Sequence, residues 1–215
     1  MKNRQWSAVL FWGGLWGISE ATVSYLLHLF APGFGWVFYY PLAYAFMYGV
    51  YRQSGKAGSI LWAAALSAAI KLINLFMAPR IDYVINPAVS ILMEGLVMFC
   101  AVKLTTRQSY PVFNMLAIPA GTSLCWRGFY LLYLLAAPAW IREASVLADT
   151  SELWKFLLLE TTVNTVLISV GSLAAHVTRR MQKEKNKPDF RLSEQVFGGI
   201  SVAVVCLACF LQWAL

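Results

Sequence analysis

The chain is 215 residues long, 60% hydrophobic and only 13% charged, with a formal net charge of +7. Soluble domains average about 25% charged residues, so an ordinary soluble domain is excluded and an all-α, polytopic transmembrane helical bundle is indicated. The positive excess does not mark a nucleic-acid binder. Arg179, Arg180, Lys183, Lys185, Lys187 and Arg191 crowd one stretch between two apolar runs, the pattern of a cytoplasmic loop beside anionic membrane lipid, where a cytoplasmic partner could also dock.

A spanning helix needs about 20 mainly apolar residues. Seven stretches meet or approach that length: 6–30, 36–51, 57–78, 84–103, 111–137, 153–178 and 196–215. The first is too long for the apolar core of a signal peptide and lacks a convincing cleavage site, so it is expected to persist as a helix. The second is short and is expected to tilt or to cross only in part. Helix four should open at Asn86-Pro87, a capping side chain followed by a proline suited to the first helical position. Pro111 opens helix five. Pro119, inside that helix, removes the donor that the Met115 carbonyl would use, so a kink is expected there. Asp149-x-x-Glu152 before helix six resembles a capping box. Trp6, Trp36, Trp140, Trp154 and Trp213 fall near span ends, as interfacial anchors do. Trp12, Trp16, Trp62 and Trp126 lie deeper, where pocket lining competes with ordinary packing.

Lysine and arginine set the orientation. Lys2 and Arg4 precede helix one, Arg52 and Lys56 follow helix two, Lys103 and Arg107 follow helix four, and the basic cluster follows helix six. The loops after helices one, three and five are uncharged, balanced or acidic. This alternation predicts a multi-pass protein of the plasma membrane with its N-terminus cytoplasmic and its C-terminus outside.

Five ionisable side chains fall inside these stretches: Glu20, Lys71, Glu94, Arg127 and Glu160. Each costs at least about 2.5–3.5 kcal/mol in hydrocarbon, so such groups are used or paired. Helical periodicity gathers the polar residues into stripes. Helix one carries Gly13, Gly17, Glu20, Ser24 and His28; helix three Ser67, Lys71 and Asn74; helix four Asn86, Ser90 and Glu94; helix five Ser123, Arg127 and Tyr130; helix six Glu160 and Asn164. Most lie in the outer halves of their helices, which predicts a polar cup open to the outside and sealed below. Glu94, Arg127, Glu160 and Asn164 are the expected solute contacts, with Lys71, Asn74, Glu20, Asn86, Trp126 and His28 around them. The competing reading pairs Lys71 with Glu94 and Arg127 with Glu160 purely to lock the bundle. Three acids against two bases leave one spare carboxylate, which tilts the expected solute toward a cation or zwitterion, or leaves one acid protonated.

Gly13-x-x-x-Gly17-x-x-x-Ala21 is a small-residue groove that admits a neighbouring helix closely. It serves either packing within the bundle or docking of a separate membrane subunit. Cys100, Cys125, Cys206 and Cys209 all lie in apolar spans, where cysteine behaves as a small hydrophobe. No H-E-x-x-H, G-x-S-x-G, Walker A or paired-aspartate motif is present, so no enzyme, metal or cofactor is expected. Any energy for uptake must come from an ion gradient or from another subunit.

On these features the chain resembles the substrate-binding (S) subunits of energy-coupling-factor vitamin transporters. The resemblance covers the layout of residues 1–190: six helices, N-terminus inside, an outward-facing pocket and no ATPase of their own. It implies a solute-binding bundle that docks onto a transmembrane coupling subunit and an ATPase pair. In that family docking uses small residues of helix one, which Gly13, Gly17 and Ala21 match loosely. Ala31-Pro-Gly-Phe-Gly-Trp36 would cap the pocket. Asn86, Glu94, Arg127, Glu160 and Asn164 lie on the helices that supply ligand contacts in the family. Residues 191–215 add a seventh, C-terminal helix beyond that core. The expected function is thus uptake of a small polar or vitamin-like solute, with a stand-alone proton-coupled carrier and, more remotely, an intramembrane enzyme as alternatives.

Overall fold

Unbroken apolar runs, punctuated only by short polar or glycine-containing joints, fold here entirely as helices. The computed structural model describes residues 2–30, 34–76, 80–105, 111–184 and 193–214; within these, the side chains of Lys2, Ser24, His28 and residues 111–114 and 179–184 lie outside the description. The elements are α1 (Lys2–Phe30), α2 (Trp36–Ser54), α3 (Gly58–Leu72) with a 3-10 turn (Ile73–Phe76), α4 (Asp82–Thr105), α5 (Pro111–Ala136), the short α6 (Ala139–Glu143) and α7 (Thr150–Trp154), a π-helical turn (Lys155–Leu159), α8 (Glu160–Glu184) and α9 (Glu194–Ala214). No strand occurs among the described residues.

Four helical stretches are long and apolar enough to cross a membrane: Gly58–Phe76, Asp82–Thr105, Thr150–Thr178 and Glu194–Ala214. Their outward faces carry large exposed apolar side chains, among them Leu92, Leu96, Val166, Val170, Leu173, Val202 and Phe210. Apolar surface on this scale suits a membrane or a partner rather than water.

Packing runs α1–α3–α4–α5–α8–α2 and back to α1, which closes a six-helix ring; α2 also touches α3 and α4. One half of the ring is seamed by small residues. A side chain on Gly13 would meet the Ala63 carbonyl of α3 at 3.0 Å, one on Gly17 would meet Ile70 of α3 at 2.9 Å, and one on Gly95 of α4 would fall on Ala64 of α3. The groove that could have received a separate subunit is therefore filled by α3. Gly13 and Gly17 serve the packing alternative, and Ala21, 5% exposed, continues the same buried face. Outside the ring, α9 packs along α1: Gly14 receives Val204 and Val205, and Phe11 meets Phe197 at 5.3 Å.

The other half of the ring is joined differently. Two prolines break the hydrogen-bond ladders of α2 and α5, since each lacks the N–H that would reach the carbonyl four residues back. For Pro119 that carbonyl is Met115, and Ser169 of α8 donates its hydroxyl to it at 2.9 Å. For Pro41 it is Val37. With the Asn164 amide oriented by its surroundings, its nitrogen donates to the carbonyls of Val37 and Trp36, both at 3.3 Å. α8 thus satisfies both proline-freed carbonyls, from side chains five residues apart that reach α2 on one flank and α5 on the other.

At the end holding the N-termini of α1 and α3 and the C-termini of α2 and α4, the interior is closed by apolar packing. Ala8, Val9, Met47, Val50, Ile60, Ala63, Val97 and Met98 are all buried there. Trp12 donates to Gln53 at 2.7 Å and Lys56 to Gln5 at 2.8 Å across the same end. Gly55, at φ 68°, ends α2 in the left-handed region that glycine tolerates, with its N–H on the Tyr51 carbonyl.

Two local expectations need correcting. α4 begins at Asp82, so Asn86 is a helix-interior residue and no cap; its side-chain oxygen accepts from the Tyr133 hydroxyl at 3.0 Å. Asp149 does cap the helix before α8, accepting from the Ser151 N–H at 2.8 Å, but Glu152 turns to Lys155 at 3.0 Å instead of completing the box. The segment Ala31–Gly33 of the expected pocket cap, and Lys185, Lys187 and Arg191 of the basic cluster, lie outside the described residues.

If the Ser169 hydroxyl exists to serve the carbonyl that Pro119 frees, Ser169→Ala should cost about 1–2 kcal/mol of stability. In a Pro119→Ala background the same change should cost under about 0.5 kcal/mol, because the restored N–H takes over. Unfolding of the four proteins in detergent measures the coupling. Equal costs in both backgrounds would refute it.

Candidate functional site

The end opposite the apolar floor holds a cavity of about 880 Å³. It is built where α1, α3 and α5 finish and where α2, α4 and α8 begin, and it reaches the surface beside the exposed Tyr25 and Tyr83. Of the residues singled out from sequence, Glu20, Ala21, Lys71, Asn74, Asn86, Glu94, Trp126, Arg127 and Glu160 line it together. Asn164 stands behind the wall, 0% exposed. Gly13 and Gly17 are in the α1–α3 seam. The side chain of His28 lies outside the described residues.

Arg127 is the centre of the α5–α8 wall and is 1% exposed. One terminal nitrogen donates to the Ser123 hydroxyl at 2.6 Å and to the Ser123 carbonyl at 3.1 Å. The other reaches Glu160 at 3.5 Å and the Asn164 oxygen at 2.8 Å. Its plane lies 4.7 Å from the Trp126 ring and 5.2 Å from the Phe156 ring, a cation–π cage that adds to the hydrogen bonds. The Arg127–Glu160 pairing expected from sequence is present. The guanidinium is consequently spent largely on the protein itself, and among the described residues its Nε–H has no hydrogen-bond partner.

Glu160 owes its aim to an irregularity. Its N–H bonds to the Lys155 carbonyl, five residues back, which defines the π turn Lys155–Leu159. Such insertions recur at functional sites. Here Phe156, Glu160 and Asn164 form the buried face, while Leu158 and Leu159 point outward.

The remaining charges arrange themselves otherwise than the Lys71–Glu94 pairing considered above. Lys71 of α3 interacts electrostatically with Glu20 of α1 across the cavity. Asp82 at the rim is held by Arg80 at 2.7 Å. Glu94, 5% exposed, has its nearest polar partner in the Ser90 hydroxyl at 3.4 Å. No cation lies within ion-pair distance of Glu94 among the described residues.

The aromatic lining was largely missed from sequence. Trp36, Tyr39, Tyr40 and Phe156 face the cavity beside Trp126 and Tyr130, which were expected there, and the Tyr40 and Trp126 rings lie 5.5 Å apart. Tyr40 was within reach of periodicity, because it heads the buried stripe Tyr40, Ala43, Met47, Val50 of α2. Phe156 sits one turn before Glu160 on the same face. Gln212 was also missed; it reaches the cavity from α9 and is 2% exposed. The four cysteines are free, with Cys100, Cys125 and Cys206 exposed on outer faces.

Removing one member of a buried ion pair costs about 3–5 kcal/mol, because the other is stranded. Arg127→Met should therefore lower stability by that amount. Glu94→Gln, which neutralises a buried carboxylate that has no cation within 4 Å among the described residues and feels Arg127 only at longer range, should leave stability unchanged or raise it. Parallel denaturation of both variants in detergent checks the contrast, and a large loss from Glu94→Gln would contradict the assignment of Glu94 as unpaired. Comparisons with protein-family models, with curated proteins and with solved structures return no match to this chain.

Proposed function

We propose that this chain is an integral membrane solute-binding protein for uptake of a small polar or vitamin-like molecule, working with separate energising subunits. The observation that carries this reading is the cavity itself. At about 880 Å³ it falls within the roughly 300–1,000 Å³ of small-molecule sites. Charged side chains from α1, α3, α4, α5 and α8 meet there, while the far end of the bundle is packed shut.

Sidedness follows from charge. Arg4, Arg52, Lys56 and Lys103 sit at the closed end of the bundle, with the cavity mouth at the other. The positive-inside rule makes the closed end cytoplasmic and the mouth external. The seven long helices are then read as membrane passes, with the C-terminus outside. The layout of the first six is that of the S subunits the sequence resembles, and the chain carries no Walker A loop of its own. A coupling subunit would need a surface other than the Gly13–Gly17 groove, which α3 occupies. One observation favours a second reading, a self-contained proton-coupled carrier: the unpaired Glu94 is a carboxylate free to take a proton.

The purified chain, incubated with the low-molecular-weight fraction of a rich growth medium and separated by gel filtration, is expected to retain a small molecule. Vesicles of phosphatidylethanolamine and phosphatidylglycerol containing this chain alone should bind that molecule without accumulating it under an imposed pH gradient. Accumulation by the chain alone would establish the carrier, and retention of nothing would remove the solute site.

A further inference from the structure

The charge inventory of the cavity goes further than its existence. Four acids line it, Glu20, Asp82, Glu94 and Glu160, against the two bases Lys71 and Arg127. Arg80 pairs with Asp82 at the rim and Arg127 with Glu160, while Lys71 lies in the field of Glu20 without an ion pair within 4 Å among the described residues. Glu94 has no cation within 4 Å among the described residues; it feels Arg127 only at longer range, against the like charge of Glu20. It is a single carboxylate, 5% exposed, with only the Ser90 hydroxyl at 3.4 Å beside it. A buried carboxylate of this kind is costly unless something compensates it.

An anionic solute finds one loosely held donor here, the Lys71 ammonium, offset by the acids around it. Arg127 has committed both terminal nitrogens to Ser123, Glu160 and Asn164, so the paired donors that grip a carboxylate or phosphate are taken. The free polar atoms are few. Among the described residues, Trp126 Nε1, Arg127 Nε and the Tyr40 hydroxyl make no hydrogen bond, nor do the side-chain oxygens of Asn74 and Gln212. Trp126 and Gln212 are 7% and 2% exposed, and both face the cavity. The wall between them is aromatic, and rings favour a cation over their faces.

We infer that the solute is an organic cation whose positive centre sits on Glu94, with a ring or apolar body against Tyr40 and Trp126 and an acceptor atom on the Trp126 indole N–H. This inference rests on the solute-site reading above.

The test uses the same medium fraction and the full chain. The compound retained by the wild-type protein is released by heat, and its charge is read by mass spectrometry in both polarities and by electrophoretic mobility at pH 7. A compound with a permanent or protonated positive group is expected. Glu94→Gln should retain it at least about tenfold less, the scale of one lost charged hydrogen bond, and Glu94→Asp should keep part of the retention. Gel filtration of each variant confirms that it is folded. An anionic or neutral compound on the wild type, or undiminished retention by folded Glu94→Gln, overturns the cation assignment while the solute site stands. Retention of nothing by the wild type removes both.

Discussion

A guanidinium kept out of water organises one whole side of this bundle. Arg127 is 1% exposed, and an uncompensated charge at such a position would be costly. Every neighbouring element is arranged to prevent that. Ser123 one turn earlier, Glu160 and Asn164 from α8, and the rings of Trp126 and Phe156 all face it. Phe156, Glu160 and Asn164, four residues apart, share one inward face, with the π turn Lys155–Leu159 leading into it. The α2–α8–α5 side therefore owes its register to electrostatics, and the α1–α3–α4 side owes its own to close contact between small residues.

This division explains which charges are structural and which are left over. A pair that fixes helix positions saturates its own hydrogen-bonding capacity, as Arg127 and Glu160 nearly do. Glu94 fixes nothing. It lies on α4 beside the small-residue seam, where Gly95 against Ala64 already sets the helix distance. Its burial costs stability unless something compensates the charge.

Much of the fold was legible in the sequence, because it follows from length and apolarity. The long helices lie close to the expected stretches. The stripes of α1, α3, α4, α5 and α8 do meet at one end, as the periodicity of Glu20, Lys71, Glu94, Arg127 and Glu160 implied. The freed Met115 carbonyl was visible from Pro119 alone, although its partner Ser169 lies 54 residues away, and no local rule supplies such a pairing. Pairing between stripes was the general blind spot. Lys71 faces Glu20 and not Glu94, because α3 sits directly on the glycine face of α1. The start of α4 was misread since Asn86-Pro87 has the chemistry of a helix opening, yet the helix begins a turn earlier at Asp82. The aromatic wall was missed because tyrosines in an apolar run read as ordinary filling.

The two kinds of seam have unequal mechanical character. Where a backbone rests against a glycine, any displacement meets hard repulsion at once, so the α1–α3–α4 side behaves as a stiff frame. Where a proline-freed carbonyl is held by a serine or an amide, the contact is directional but bends over a broad range of angles. The softer joints are therefore the carbonyl contacts at Val37 and Met115, each a single hydrogen bond, while Arg127 and Glu160 keep α5 and α8 in register beside them.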